Sequence, residues 1–140
     1  WLMDELERSG LCTYVGKVNM DRNSPKELVE RTADSIADTT AWLRQIDGRY
    51  SRTSPMLTPR FIPSCTDELL RELGHMAQQY QLPVQSHLSE NPAEVAWVKE
   101  LCPWAKTYGH AYDKWGLFGR TPTIMAHCVW CYASEVELLK

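Results

Sequence analysis

The chain has 140 residues, of which 44% are hydrophobic and 24% are charged, and its formal net charge is −3. This length suffices for one domain with a hydrophobic core, and basic and acidic residues are mixed without a lysine or arginine cluster, which argues against a nucleic-acid-binding surface. No apolar run approaches the roughly 18 residues that a membrane span needs, and the acidic start, WLMDELERSG, is no signal peptide.

The number of cysteines indicates the redox state of the compartment in which the protein is found. The chain has five cysteines, and an odd number without a secretory signal is typical of a reducing environment with buried thiols. We therefore expect a cytoplasmic protein. Because the chain does not begin with Met, we also expect it to start inside a longer gene product.

Helical and strand-forming segments alternate along the chain. Two helix starts are predicted from a capping box with proline at the first helical position, at Ser24-Pro25 with Glu27 and at Asn91-Pro92 with Glu94. The predicted elements, in order, are a helix over 1–10, a strand over 12–20, a helix over 24–46, a strand over 54–61, a helix over 64–80, a strand over 82–87, a helix over 91–101, a helical stretch over 108–116, a strand over 122–127 and a helix from 134 to 140.

This order predicts an α/β fold with a parallel sheet, because strands separated by long helices cannot form hairpins. Two architectures fit, an open doubly wound sheet and part of a (β/α)8 barrel. No glycine-rich turn follows a strand, so a dinucleotide-binding fold has no support. The four strands correspond to about half of a barrel of roughly 250 residues, and no linker divides the chain, so we treat residues 1–140 as one segment.

Polar side chains stand where three of the predicted strands end. Arg60 follows Pro59, His87 and His127 close their strands, and Glu90 lies just before a helix cap. Parallel α/β folds place their chemistry at the C-terminal strand ends. Imidazoles bind metals and carry protons near neutral pH, a carboxylate transfers protons, and a guanidinium can bind a purine edge with two hydrogen bonds. Each group alone also fits a structural role.

Alternation along the strands predicts which side chains face the centre. If Val84 and Ser86 face the helices, His87 faces the opposite side. On the last strand, the same reasoning places Ile124 and Ala126 toward the helices and Met125 and His127 inward. The two imidazoles are then expected to project toward one mouth.

A competing site is the CxxC of Cys128 and Cys131, which is typical of zinc binding or disulfide exchange. A structural zinc site needs a second pair of ligands, and Cys102 with His110 makes no familiar pattern. Two ordinary thiols at a strand-to-helix turn are the simpler interpretation.

Five segments taken together resemble the guanine deaminases of the amidohydrolase superfamily over nearly the whole chain: GKVNMDRN, TPRF, QSHLSEN continued by EVAWVK, YDKWGL and MAHCVW. The resemblance implies a (β/α)8 barrel that binds one zinc ion and hydrolyses guanine to xanthine and ammonia, and it favours a partial barrel of about strands three to six. Because a partial barrel leaves open sheet edges, we also expect a homo-oligomer, most simply a dimer.

The resemblance also implies roles for single residues. His87 corresponds to the fifth-strand zinc ligand, and Glu90 to the acid/base that moves protons to the purine. His127 corresponds to the sixth-strand histidine, which contacts the nucleophilic water or binds metal. The implied substrate contacts are Arg60, Phe61, His87, Leu88, Ser89 and Glu90.

The chain departs from the family in its metal ligands. It contains no His-x-His pair of the first strand, and nothing corresponds to the zinc-binding aspartate of the eighth. We therefore expect these 140 residues alone to be inactive. Three other readings stay open: an amidohydrolase acting on another amino-purine, triazine or pterin, a non-catalytic α/β domain that binds a partner, and a CxxC metal or redox module.

Overall fold

A computed structural model describes residues 1–138 of the chain. The helices and strands, in chain order, are α1 (Leu2–Ser9), β1 (Thr13–Val15), β2 (Val18–Asn19), α2 (Thr32–Ile46), β3 (Thr53–Pro55), β4 (Thr58–Pro59), a 3-10 turn (Ile62–Ser64), α3 (Asp67–Tyr80), β5 (Val84–Leu88), α4 (Pro92–Leu101), α5 (Tyr108–Asp113), β6 (Thr123–His127) and α6 (Ala133–Leu138). The last two residues of the helix predicted over 134–140 lie outside the described residues.

All strand pairs are parallel and follow the chain order. β1 pairs with β3, β2 with β4, and β5 with β6, while a parallel bridge between Leu57 and Val84 joins the β4 region to β5. No reversal of strand order occurs within the described residues, which is what part of a closed (β/α)8 barrel requires and a doubly wound sheet does not. The predicted α/β fold with parallel strands is confirmed.

The strand predicted over 12–20 is interrupted at Gly16. Its two parts keep the same offset of 40 residues to their partners, since Thr13 pairs with Thr53 and Val18 with Thr58. A Cβ at Gly16 would lie 1.9 Å from Thr58 Oγ1. The Met56 carbonyl oxygen would lie 2.9 Å from the same Cβ, so the partner strand leaves no room for a side chain at this position, and the ladder breaks without a change of register.

The helix start predicted at Ser24 is wrong. Pro25 opens only a turn, in which the Leu28 and Val29 amides donate to its carbonyl, and α2 begins at Thr32. The intervening segment is bound to the end of β2 instead, because the Glu30 amide donates to the carbonyl of Met20 at 2.9 Å. A capping sequence does not produce a helix where such tertiary bonds satisfy its amides elsewhere.

The hydrophobic core lies between the sheet and helices α3, α4 and α5. The apolar stripe of α3 faces this core, and its members are all buried: Leu69, Leu70, Leu73, Met76 and Ala77. Thr66 caps this helix by accepting from the Leu69 amide. The side chains of Val84 and Leu88 on β5 pack into the same cluster, which fixes the strand that ends at the candidate site. No helix in the described part of the chain is long and apolar enough to cross a bilayer.

Replacing Leu73, whose side chain is 0% exposed, by alanine should lower the free energy of unfolding by about 2–5 kcal/mol, because the deletion leaves a cavity in a close-packed core. Urea denaturation followed by circular dichroism measures the change. Leu28 is 54% exposed, so Leu28→Ala is the matched control and should change the value by about 0.5 kcal/mol or less. Equal losses in the two variants would contradict this description of the core.

Candidate active site

The C-terminal ends of β4, β5 and β6 surround one cleft of about 140 Å³. Its lining residues are Arg60, Phe61, His87, Glu90, Glu94 and His127. The four groups that the sequence singled out at strand ends therefore lie together, as predicted, and with Phe61 they form one concave polar surface.

His87 is oriented by a main-chain contact. Its Nδ1 lies 2.6 Å from the carbonyl oxygen of Arg60, and a carbonyl only accepts, so Nδ1 carries the proton. Nε2 then holds the lone pair, which is the form in which histidine binds a metal. The predicted alternation is confirmed on this strand, because Val84, Ser86 and Leu88 are buried on the helix side while His87 is partly open to the cleft.

The side chain of His127 lies in the cleft, but not because of the predicted alternation along β6. Met125 pairs with Ser86 and packs against the core, and Ile124 is exposed, so the predicted facing of this strand is wrong. Regular alternation would direct His127 toward the helices with its partner Leu88. Its φ of 72° ends the alternation, and the imidazole stacks on that of His87 with ring centroids 5.4 Å apart.

Glu90 lies at the rim, where its carboxylate meets an imidazole. Oε2 is 3.5 Å from His127 Nε2, and the carboxylate is about half exposed. Its main chain is held by Glu94, whose Oε1 accepts from the Glu90 amide at 3.5 Å. Asn91 caps α4 as predicted, accepting from the Glu94 amide. Sequence reasoning assigned Glu94 to this capping box alone and missed its place in the cleft wall.

Arg60 and Phe61 form the opposite side of the cleft. The Arg60 amide donates to the carbonyl of Asn19 at 3.1 Å, and the guanidinium lies 5.4 Å from the centroid of the Phe61 ring. Phe61 in turn makes an edge contact with Trp97, with centroids 6.2 Å apart. A flat cationic group and an aromatic face are therefore both fixed beside the two imidazoles.

The side chains of Leu88 and Ser89 do not line the cleft. Both are buried, and Leu88 belongs to the hydrophobic core. Their carbonyls are also occupied, since Leu88 accepts from the Cys128 amide and Ser89 from the Trp130 amide. The predicted substrate contact of these two residues stays a prediction, and their observed role is to anchor the loop after β6.

The cleft offers two imidazoles as candidate metal ligands, His87 and His127. Within residues 1–138, no three His, Cys, Asp or Glu side chains converge as a metal site. The lone pair of His87 Nε2 fits one zinc ligand, and His127 lies close enough to supply a second. Burial raises the pKa of the Cys131 thiol. Within the described residues, no third His, Cys, Asp or Glu side chain joins Cys128 and Cys131 to complete a metal site.

Comparison with known proteins gives a consistent result. The model of the "Amidohydrolase family" matches residues 1–140. A guanine deaminase from Dictyostelium discoideum is 42% identical over 99% of the chain, and that of Homo sapiens is 42% identical over 98%. A guanine deaminase from C. acetobutylicum, solved with guanine bound in the active site, superimposes with a TM-score of 0.94 at 47% identity over 99% of the chain.

The matches cover only part of those proteins. The chain spans 31% of the Dictyostelium enzyme, 30% of the human enzyme and 33% of the C. acetobutylicum chain. It thus corresponds to about a third of a longer relative, and the site described above is formed by that third.

Proposed function

This chain belongs to the amidohydrolase family, and on that premise we propose that the complete protein carrying it is a zinc-dependent guanine deaminase, which hydrolyses guanine to xanthine and ammonia. The observation that supports this most is the single cleft that unites Arg60, Phe61, His87, Glu90 and His127. We further propose that residues 1–140 alone are inactive, because the described residues offer two imidazoles where a catalytic zinc needs at least three protein ligands.

In this proposal His87 holds the metal through Nε2. The contact between Nδ1 and the Arg60 carbonyl keeps the ring from rotating and maintains the tautomer that binds metal. Zinc bound there would supply a nucleophile, because it would lower the pKa of a bound water toward neutrality. His127, stacked on His87, is the second candidate ligand, and it is equally placed to contact the water.

Glu90 moves the protons. Addition of water to the carbon that bears the amine requires a proton at the neighbouring ring nitrogen, and loss of ammonia requires another at the amine. The Glu90 carboxylate lies at the rim, with Oε2 3.5 Å from His127 Nε2. We assign to it the transfer of the first proton from the attacking water to the ring nitrogen, and of the second from the hydroxyl on the ring carbon to the amine, which leaves as ammonia.

Arg60 and Phe61 orient the base. A guanidinium can donate two hydrogen bonds to the O6 and N7 edge of guanine, whereas the 6-amino group of adenine presents a donor to it. Phe61 offers its ring to the flat heterocycle and is itself braced by Trp97. This pair accounts for selectivity in favour of a 6-oxo purine.

Replacing Arg60 by lysine in the complete protein should raise KM for guanine by roughly 10-fold to 100-fold, because lysine keeps the charge but cannot form the bidentate contact. Production of xanthine and ammonia from guanine measures both the wild-type activity and the change. Adenine should not be consumed by the wild-type protein.

The matched control is Arg71→Lys on α3, where the arginine pairs with Glu72 on the outer surface. It should leave KM unchanged. Absence of xanthine formation by the wild-type protein would overturn the proposed function, and an unchanged KM in Arg60→Lys would overturn the assignment of Arg60.

We also propose a cytoplasmic location and a homodimer. The five cysteines are all free thiols in the structure, which agrees with a reducing compartment. The dimer is proposed because a partial barrel leaves open sheet edges, and it is tested by the sedimentation of the 140-residue chain.

A further inference from the structure

Two buried hydroxyl groups lie directly beneath the cleft, and neither lines it. They are Ser86 Oγ on β5 and Tyr112 Oη on α5, and their residues are both 0% exposed. The two oxygens are 2.8 Å apart. Buried hydroxyls are costly unless they are hydrogen-bonded, so their contacts indicate what they hold in place.

These hydroxyls join the ends of two neighbouring strands. Ser86 Oγ donates to the carbonyl of Pro59 at 2.7 Å and lies 3.2 Å from that of Arg60. Tyr112 Oη donates to the carbonyl of His87 at 2.8 Å. Ser86 Oγ, which lies on β5, therefore ties that strand to the end of β4. Because the Ser86 proton goes to β4, the contact with Tyr112 requires Tyr112 Oη to share its proton between Ser86 Oγ and the His87 carbonyl, so Tyr112 braces this link from α5.

The Arg60 carbonyl is common to this link and to the cleft, since it also contacts His87 Nδ1 at 2.6 Å. A shift of the two strand ends relative to each other would change this short contact first. The hydroxyl pair is placed to prevent such a shift, because it bonds to the main chain on both sides of it.

The tyrosine is itself rigidly held. Its ring stacks on Tyr108 with centroids 5.7 Å apart and an interplanar angle of 5°, and Phe118 lies on its other side at 6.5 Å. Burial raises the pKa of Tyr112 far above its ordinary value, so the hydroxyl stays protonated and donates at every working pH.

We propose that Tyr112 and Ser86 are positioning residues for the catalytic imidazole: their hydroxyls fix the β4 and β5 ends so that the Arg60 carbonyl holds His87 Nδ1. The effect of removing these hydroxyls on guanine turnover rests on the proposed function, whereas their effect on the orientation of the His87 ring does not. Packing alone does not explain the pair, because phenylalanine and alanine would fill the same space without placing two polar groups in the core.

The test compares Tyr112→Phe with Tyr108→Phe in the complete protein. Both variants remove one buried tyrosine hydroxyl from the same stack, but within residues 1–138 no hydrogen bond joins Tyr108 Oη to the end of β4 or β5. Melting temperatures establish that each variant is folded, and Ser86→Ala provides a second variant on the same link should Tyr112→Phe fail to fold.

Two readouts are measured. The first is the proton on His87 Nδ1, observed by nitrogen-edited NMR of histidine-labelled protein, which should be protected from exchange in the wild type and in Tyr108→Phe. It should broaden or exchange faster in Tyr112→Phe and Ser86→Ala. The second is guanine turnover, in which the latter two variants should lose about 10-fold to 100-fold in kcat with little change in KM, as expected for a partner that orients a ligand.

The outcomes separate the two proposals. A protected Nδ1 proton that is lost in Tyr112→Phe supports the positioning role even if the wild-type protein does not act on guanine. An Nδ1 proton equally protected in all variants, or equally affected in Tyr108→Phe, overturns it, whatever the turnover of the wild type.

Discussion

Replacing Glu90 by glutamine should lower kcat for guanine by about 100-fold to 10,000-fold, the range that general acid–base groups contribute, while KM changes little. Glutamine keeps the size of the side chain and can still hydrogen-bond to His127, but it cannot accept a proton from water or deliver one to the purine. Steady-state production of xanthine by the complete protein measures the effect. Zinc content should stay at the wild-type level, since Glu90 is assigned to proton transfer and not to the metal.

Glu100, exposed on the outer side of α4, is the matched control. Glu100→Gln makes the same chemical change near the other end of α4, and this variant should retain full activity. A Glu90→Gln protein with wild-type kcat would remove the carboxylate from the mechanism and leave His127 as the proton carrier.

Replacing His87 by alanine should weaken zinc binding by more than about 100-fold, which is the upper end of the loss seen when a group that only supports a ligand is removed. Guanine turnover should fall with it, because the ring also fixes the position of its stacked neighbour His127. Metal analysis after dialysis against a chelator, together with the xanthine assay, measures both losses in the complete protein.

His75 is the control histidine, because it lies on the surface of α3 beside Glu72 and does not line the cleft. His75→Ala should keep metal and activity. Cys128→Ser tests the rival site: zinc that survives His87→Ala but is lost in Cys128→Ser would move the metal to the CxxC and end the assignment of His87.

The parts of the site predicted from sequence are those that depend on strand ends. Arg60, His87 and Glu90 follow regular strands or precede a cap, and the general rule that parallel sheets expose their C-terminal ends on one side was enough to bring them together. His127 arrived at the same cleft although its strand faces the other way from the predicted one. His127 has a left-handed backbone conformation at the turn that leads into α6. The alternation of apolar and polar residues in a sequence does not indicate such a conformation.

Tertiary contacts account for what the sequence did not predict. The capping box at Ser24 has the same form as the one at Asn91, yet only the second begins a helix, because the segment after β2 is bonded to the strand end through Glu30 and Met20. Tyr112 and Ser86 carried no sequence signal of a positioning role either. A hydroxyl on an apolar helix and a serine on the buried side of a strand acquire that role only once α5 is packed under β5.

The left-handed turn at His127 and Cys128 also limits how the pair of histidines at 87 and 127 can be transferred to another protein. A designer who grafts histidines onto two adjacent strands of another barrel would reproduce the identities but place the second ring on the wrong side. The backbone conformation at 127 and 128 must be transplanted with the side chain, and the main-chain bond from the Cys128 amide to the Leu88 carbonyl is the minimum anchor that goes with it.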